Sequence, residues 1–223
     1  MERPERPIPS GSISIRKAAL FAGILLALGI LLALCHHPLS GLLALSISIL
    51  SLVYNKWSKH HAFTGPLNMG ILRGLNLLLG LSFVPGIIVD NYKIAIIPIV
   101  YIFAITMVSQ GEVHGSSRRP LYAAGVLFLL ADAGIMLIGW SNGKIWLPIL
   151  FTGIHLLYII PPLYKAIQEP SPGHIRRTVM HGVLGIILLD GIWVSMTGYW
   201  LLAFVLLLLI PLSQKLSRYF SVT

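Results

Sequence analysis

The chain has 223 residues, of which 56% are hydrophobic and 10% are charged, and its formal net charge is +9. A soluble domain carries roughly 25% charged residues, so this composition indicates an integral membrane protein. The net charge does not indicate nucleic-acid binding, because no basic run with interleaved aromatic residues is present and cytoplasmic loops of membrane proteins collect Lys and Arg. We therefore expect membrane lipid, and no nucleic acid, among the partners.

Several apolar runs approach the length of about 20 residues that a helix needs to cross the hydrocarbon. In chain order they cover residues 18–34, 39–53, 66–89, 94–108, 121–139, 145–164, 178–194 and 199–212. Proline and glycine at residues 84–86 predict a kink or an end in the long third run. The sequence thus predicts an all-α, polytopic membrane bundle of about eight transmembrane helices. We expect one domain over residues 1–223, with a cytoplasmic arm at residues 1–17.

The basic residues predict the orientation. With a cytoplasmic N-terminus, only Lys93 and Lys144 fall on the outer side, and Arg73 lies within a helix. The 13 remaining basic residues fall on the inner side: Arg3, Arg6, Arg16, Lys17, Lys56, Lys59, Arg118, Arg119, Lys165, Arg176, Arg177, Lys215 and Arg218. Cytoplasmic loops of membrane proteins are enriched in Lys and Arg, so both termini and the polar-rich connections are predicted to be cytoplasmic.

The third run carries Asn68, Arg73 and Asn76 among apolar residues. At about 100° per residue, Asn76 lies about 80° and Arg73 about 140° around the helix from Asn68, so one face can hold all three. Charged groups inside membrane helices are costly and usually face the bundle interior, which favours a functional role. The alternative is that Arg73 snorkels to the interface and the asparagines only join helices.

Glu112 is the only carboxylate in the two central inner connections. It could bind Mg²⁺, which prefers carboxylates and water and often bridges to substrate phosphates. Alternatively it pairs with Arg118 or Arg119 at the interface. These two arginines, like Lys56, are either topology signals or cations that hold a diphosphate, since Arg binds phosphate oxygens in a bidentate manner.

Two carboxylates, Asp132 and Asp190, lie inside predicted helices. Intramembrane carboxylates are candidates for function. We expect them to hydrogen-bond inside the bundle, and a proton or ion path is the sharper alternative. His155 and His181 stand alone on apolar helices and are expected to be satisfied core residues.

Three segments resemble a known family. ERPERPIPSGSISIRKA at residues 2–18 is similar to the RP(I/L)xSGxIS segment that follows the first aspartate-rich motif of the UbiA superfamily of intramembrane prenyltransferases. YNKWSKHHAFTGPLNMGILRGLNLLLG at residues 54–80 and SQGEVHG at residues 109–115 look most like its EboC-like branch. The resemblance implies a helical bundle that moves a prenyl group from an isoprenoid diphosphate to an aromatic or lipid acceptor. It also implies Mg²⁺, held by two aspartate-rich motifs on cytoplasmic loops.

The chain departs from the family pattern at both motifs. The first, (N/D)xxxD, would stand before residue 1, so we expect an N-terminally truncated chain without that motif and its two flanking helices. The second, DxxxD, aligns with residues 109–115, where Glu112 is the only acid. The resemblance implies Mg²⁺ at Glu112, diphosphate at Lys56, Arg118 and Arg119, a cavity at Asn68, Arg73 and Asn76, and a cation path along Tyr54.

The leading function is therefore prenyl transfer, with no turnover expected from this chain. We expect Lys56, Arg73 and Glu112 to converge on one inward-facing cavity. The alternative is a non-catalytic homologue that binds a lipid-like metabolite or helps to export it, which the missing carboxylates favour. A transporter is a third option, although the chain lacks the internal repeat that many transporters show. The predicted location is the bacterial cytoplasmic membrane.

Overall fold

The structure is a computed structural model that describes residues 7–84, 86–141 and 145–219. These residues form α-helices joined by short connections and two 3₁₀ turns, at Ser58–His60 and Tyr92–Ala95. The helices are α1 (Ile15–His36), α2 (Pro38–Lys56), α3 (Thr64–Leu81), α4 (Ile87–Asn91), α5 (Ile96–Ser109), α6 (Arg118–Ser141), α7 (Trp146–Gln168), α8 (Pro172–Met196) and α9 (Trp200–Tyr219).

Among the described residues, six segments are long and apolar enough to cross a membrane: Ile15–His36, Pro38–Lys56, Ile87–Ser109, Arg118–Trp140, Trp146–Gln168 and Pro172–Met196. Trp200–Leu216 is a shorter apolar helix. The prediction of an all-α, polytopic membrane bundle is confirmed, with six such spans where about eight were expected. Helix α3 is not among them, since its 18 residues include Asn68, Arg73 and Asn76.

The kink or end predicted at residues 84–86, within the third run of residues 66–89, is confirmed by a break between two helices. Helix α3 ends at Leu81 and α4 begins at Ile87, which opens the next span before the predicted residue 94. Gly86 precedes α4 with φ of 91°, a left-handed conformation that favours glycine. Pro85 lies outside the described residues, as do Arg3, Arg6 and Lys144.

The chain divides into two compact units, and the prediction of a single domain over residues 1–223 stays a prediction. Unit 1 comprises Met1–Lys56 and Leu75–Ala95. Helices α1 and α2 pack against each other across His37, where a Cβ on Gly41 would lie 2.8 Å from the Leu34 side chain. The buried hydroxyls of Ser40 and Ser82 are 2.8 Å apart and join α2 to the residue after α3.

Unit 2 comprises Trp57–Gly74 and Ile96–Thr223. Its helices α5 to α9 enclose a core whose largest fully buried side chains include Tyr101, Phe128 and Phe151. Helix α8 approaches this core through glycines. A Cβ on Gly182 would lie 2.9 Å from the Ile105 side chain, and one on Gly185 would lie 2.6 Å from the Tyr101 hydroxyl. Small residues permit such close helix packing in membranes.

Candidate functional site

Three connections meet at one end of unit 2. The Gln110 side chain, after α5, donates a hydrogen bond of 3.0 Å to the carbonyl of Ala62, before α3. The Ser116 backbone N–H donates one of 3.3 Å to the carbonyl of Pro170, between α7 and α8. Residues 57–63, 110–117 and 169–171 therefore lie together, and we call them the loop cluster. All three belong to connections predicted to be on the inner side, while their cytoplasmic location stays a prediction.

Two glycines fix the shape of the connection between α5 and α6. Gly115 has φ of 83°, and a Cβ there would lie 2.8 Å from the Pro170 carbonyl oxygen. A Cβ on Gly111 would lie 2.8 Å from the Ser116 Cβ and 2.9 Å from the end of the Ile175 side chain. Only residues without a side chain allow this close approach, which holds Glu112 near the first turns of α8.

Glu112 is partly buried in the loop cluster. Burial raises the pKa of its carboxyl above the ordinary value of 4.5, and the positive charge of Arg176 on α8 partly offsets that rise. The electrostatic partner is therefore Arg176. Of the two arginines expected beside Glu112, Arg118 instead donates a hydrogen bond of 3.2 Å to the carbonyl of Gln168, and Arg119 is exposed.

The described residues do not form a Mg²⁺ site by themselves. Within the described ranges, no group of three or more His, Cys, Asp and Glu side chains is placed to hold a metal ion. Glu112 offers one carboxylate, and a metal binds its ionised form. Mg²⁺ commonly uses one or two carboxylates together with substrate phosphates. Glu112 could supply one such ligand, and we derive no chemical step through the metal.

Two polar residues of α3 contact other parts of unit 2. The amide nitrogen of Asn68 donates a hydrogen bond of 3.2 Å to the Ser58 hydroxyl, and its buried carbonyl oxygen has no hydrogen-bond partner among the described residues. The guanidinium Nη2 of Arg73 lies 3.7 Å from Oδ2 of Asp190 on α8. The structure thus pairs Arg73 with an intramembrane carboxylate.

The remaining predicted site residues are divided between the units. Tyr54, Lys56 and Asn76 belong to unit 1, where Tyr54 is partly buried and the other two are exposed. Asn68, Arg73, Glu112, Arg118 and Arg119 belong to unit 2. The convergence of Lys56, Arg73 and Glu112 on one cavity, and the binding role of every residue named here, stay predictions.

A buried polar network connects four helices of unit 2. Nδ1 of His155 lies 2.9 Å from the Asp132 carboxylate, and its Nε2 lies 3.1 Å from the Tyr101 hydroxyl. That hydroxyl donates a hydrogen bond of 2.9 Å to the carbonyl of Gly182. Hydrogen bonding of Asp132 inside the bundle is confirmed, and His155 is satisfied as expected. His181, the other lone histidine, is partly buried and directs Nδ1 at the carbonyl of Arg177, 2.8 Å away.

The sequence pattern missed Tyr101 and the electrostatic role of Arg176. Tyr101 lies in an apolar run of the sequence. The one feature that could have indicated its role is its hydroxyl, because a buried tyrosine hydroxyl usually needs a hydrogen-bond partner. The glycines at 182 and 185 were a second signal, since spacing of three residues places them on one face of α8. Arg176 was counted for topology alone.

Comparison with known proteins decides the family. Residues 1–177, well over half of the chain, match the UbiA prenyltransferase family. The chain belongs to that family. This UbiA chain matches no solved structure. The predicted site residues all lie within the matched range, whereas Asp190 lies beyond it.

Curated relatives include several proteins named digeranylgeranylglyceryl phosphate synthase. The UbiA chain is 40% identical to the one from Methanosarcina barkeri over 82 residues, which cover 37% of this chain and 28% of that protein. It is 29% identical to the one from Metallosphaera sedula over 176 residues, which cover 74% of this chain and 61% of that protein. With the one from Saccharolobus solfataricus it shares 30% over 175 residues, covering 72% and 58%.

The chain therefore spans from 28% to 61% of the length of these three relatives. The resemblance to the UbiA superfamily is confirmed, while the relatives named here do not carry the finer EboC-like assignment. These organisms are archaea, so the predicted bacterial membrane stays a prediction. The truncation also stays a prediction.

Proposed function

We propose that this UbiA-family protein binds an isoprenoid diphosphate and a lipophilic acceptor and is built for prenyl transfer between them. The observation that carries the proposal is the family match over residues 1–177, together with relatives whose name specifies a digeranylgeranylglyceryl phosphate product. That name suggests a C20 prenyl donor and an acceptor with a glyceryl phosphate headgroup, which narrows the aromatic-or-lipid choice to a lipid.

The donor's diphosphate would bind at the loop cluster. Arg118 and Arg119 are exposed at the start of α6, and Arg176 lies near Glu112 at the start of α8. Arginine binds phosphate oxygens in a bidentate manner, and cations here would stabilise the charge that grows on the leaving diphosphate. Lys56 is proposed as a further cation, Asn68, Arg73 and Asn76 as cavity residues, and Tyr54 as a ring facing the allylic cation.

Mg²⁺ would accompany the diphosphate and neutralise part of its charge. Glu112 is the carboxylate proposed to contact it. Two carboxylate motifs serve this purpose in the family pattern, and this sequence has no aspartate pair at that spacing. A single carboxylate should hold Mg²⁺ weakly, because Mg²⁺ keeps most of its waters and needs substrate phosphates to complete its shell, so we propose donor binding without turnover for the 223-residue chain.

The second candidate is a non-catalytic UbiA homologue that binds a lipid-like metabolite or helps to export it. The observation that favours it is Glu112 standing alone as the acid of residues 109–115. An EboC-like place within the superfamily would accord with this role. Both candidates share the prenyl-binding bundle, and they differ in whether the bundle is built for prenyl transfer or only for binding or export of the metabolite.

One experiment tests donor binding and the absence of turnover together. The purified chain is incubated in detergent with labelled geranylgeranyl diphosphate, Mg²⁺ and geranylgeranylglyceryl phosphate, and both donor binding and product are measured. We expect binding that weakens about tenfold or more in Arg118→Gln/Arg119→Gln, since hydrogen bonds to charged groups contribute roughly 1.5–3 kcal/mol each. Lys93→Gln, on the predicted outer side, is the matched control and should bind as wild type does.

Absence of donor binding in the wild type would refute the proposal as a whole. Mg²⁺-dependent product from the wild type would refute the lack of turnover and establish the enzyme. Binding without product would support the proposal as stated.

A further inference from the structure

Arg73 on α3 and Asp190 on α8 form a charged pair within largely apolar helices. Nη2 of Arg73 lies 3.7 Å from Oδ2 of Asp190, and the two side chains are 37% and 52% exposed. At 1.5 Å per residue, Arg73 lies about 14 Å from the first residue of α3 and Asp190 about 9 Å from the last residue of α8. The pair is therefore remote from the ends of both helices.

The hydrogen-bond donors of Arg73 and the acceptors of Asp190 do not satisfy each other. A separation of 3.7 Å exceeds the range of about 2.7–3.2 Å for a hydrogen bond. Across the part of the chain that the structure describes, neither side chain makes a hydrogen bond or a second ion pair. The guanidinium carries N–H donors alone and the ionised carboxylate carries acceptors alone. Charged groups within apolar helices are costly unless partners satisfy them, which makes the pair a site for a polar ligand group.

The charges of the pair select the ligand. A diphosphate would be attracted by Arg73 and repelled by Asp190, and a metal ion would meet the reverse. A hydroxyl satisfies both partners, because its O–H donates to the carboxylate and its oxygen accepts from the guanidinium. We propose that Arg73 and Asp190 bind the hydroxyl end of a lipid, and thus form the acceptor subsite.

This subsite deepens the proposed function and rests on it, since a glyceryl lipid with a free hydroxyl is the proposed acceptor. The donor and the acceptor would then bind at chemically different places. The diphosphate would bind at the loop cluster, beside basic residues, and the hydroxyl would bind at the Arg73–Asp190 pair, whose net charge is zero. Asp190 lies outside residues 1–177, so the family match does not assign it.

The probe is geranylgeranylglycerol, which carries hydroxyls and no phosphate, compared with its di-O-methyl ether. Binding of each to the full chain is measured by calorimetry in the same detergent. We expect the wild type to bind the diol about tenfold tighter than the ether, because one hydrogen bond to a charged group corresponds to roughly that factor. Labelled geranylgeranyl diphosphate is titrated in parallel as a readout of the loop cluster.

The main variant is Arg73→Met/Asp190→Leu, which removes both charges at once and leaves no unpaired charge behind. Replacing an ion pair by apolar residues of similar volume is often neutral for stability. In this variant the diol and the ether should bind with about equal affinity, and diphosphate binding should be retained. Asp190→Asn, a conservative second variant, should reduce the preference, and Asp90→Leu on the exposed surface of α4 should leave it unchanged.

Equal binding of diol and ether by the wild type, or a preference that survives in the double variant, would overturn the inference. If diphosphate binds normally in that case, the acceptor subsite fails and the proposed function stands. If diphosphate does not bind while the diol preference is present and lost in the double variant, the hydroxyl site stands and the proposed function fails.

Discussion

The imidazole of His155 contacts the carboxylate of Asp132 at 2.9 Å in the interior of unit 2, where the His155 side chain has no exposed surface. The Tyr101 hydroxyl donates its proton to the Gly182 carbonyl and accepts a hydrogen bond from Nε2 of His155. The hydrogen bonds of His155 and Tyr101 therefore satisfy polar groups that would be costly to bury alone.

Removing the Tyr101 hydroxyl should destabilise the protein. In Tyr101→Phe, His155 and the Gly182 carbonyl would each lose a hydrogen-bond partner in a buried site. We expect the free energy of unfolding in detergent to fall by about 1–3 kcal/mol. Tyr122→Phe makes the same change on an exposed ring of α6 and should have little effect. Equal unfolding midpoints for the two variants would contradict the structural role of the network.

The glycines of α8 should be irreplaceable where the helix meets α5. In Gly185→Ala the new Cβ would lie 2.6 Å from the Tyr101 hydroxyl and 2.9 Å from the Ile159 side chain. We expect a loss of about 1–3 kcal/mol in stability, the usual effect of overpacking. Gly153→Ala on α7 is the matched control, because its Cβ would meet no atom within 4 Å. It should be neutral or stabilising, since alanine favours the helix by about 1 kcal/mol.

Sequence alone predicted the helices well because the apolar runs are long and clearly bounded. The break within residues 66–89 was predictable as well, because proline and glycine at residues 84–86 indicated it and α3 ends at Leu81, before Gly86 with its left-handed φ of 91°. Helix α3 was predicted as a span and is not among the six segments found in the described residues, because it carries three strongly polar residues. A segment can form a helix without the hydropathy of a membrane span, and α3 is such a segment.

The partners of the polar residues could not be predicted. Asp132 and His155 are separated by 23 residues, and Arg73 and Asp190 by more than a hundred, so their contacts depend on how the helices pack. Hydrophobic periodicity identifies which face of a helix is buried and carries no information on the facing residue. Tyr101 was missed for the same reason, because an apolar run conceals one hydroxyl whose acceptor lies on α8.

The loop cluster should lie in the cytoplasm. The basic residues of the three connections predict this orientation through the enrichment of Lys and Arg on that side. Cys35, the single cysteine, is exposed and would be replaced by serine first. A cysteine at Ser116 should then resist an impermeant maleimide in intact cells, while one at Lys93 should react. Labelling of the Ser116 position from outside would reverse the orientation.

Glu112 should make stability depend on pH in a defined direction. Burial raises its pKa above 4.5, so the folded state binds the proton more tightly than the unfolded state does. The protonated form is therefore favoured by folding, and stability is highest below the unfolded pKa. As pH rises through the interval between the unfolded and folded pKa values, the folded protein should lose stability. Glu112→Gln cannot ionise and should not show this loss.

The measurement is thermal unfolding of the wild type and Glu112→Gln in detergent across that interval. The difference between the two proteins should grow as pH rises from below 4.5 and then level off. Arg176→Gln gives a second test, because Arg176 lowers the pKa of Glu112. Without Arg176, the stability difference between the proteins with Glu112 and with Glu112→Gln should continue to increase up to a higher pH. A wild type that gains stability over Glu112→Gln as pH rises would mean that Glu112 is stabilised as a carboxylate.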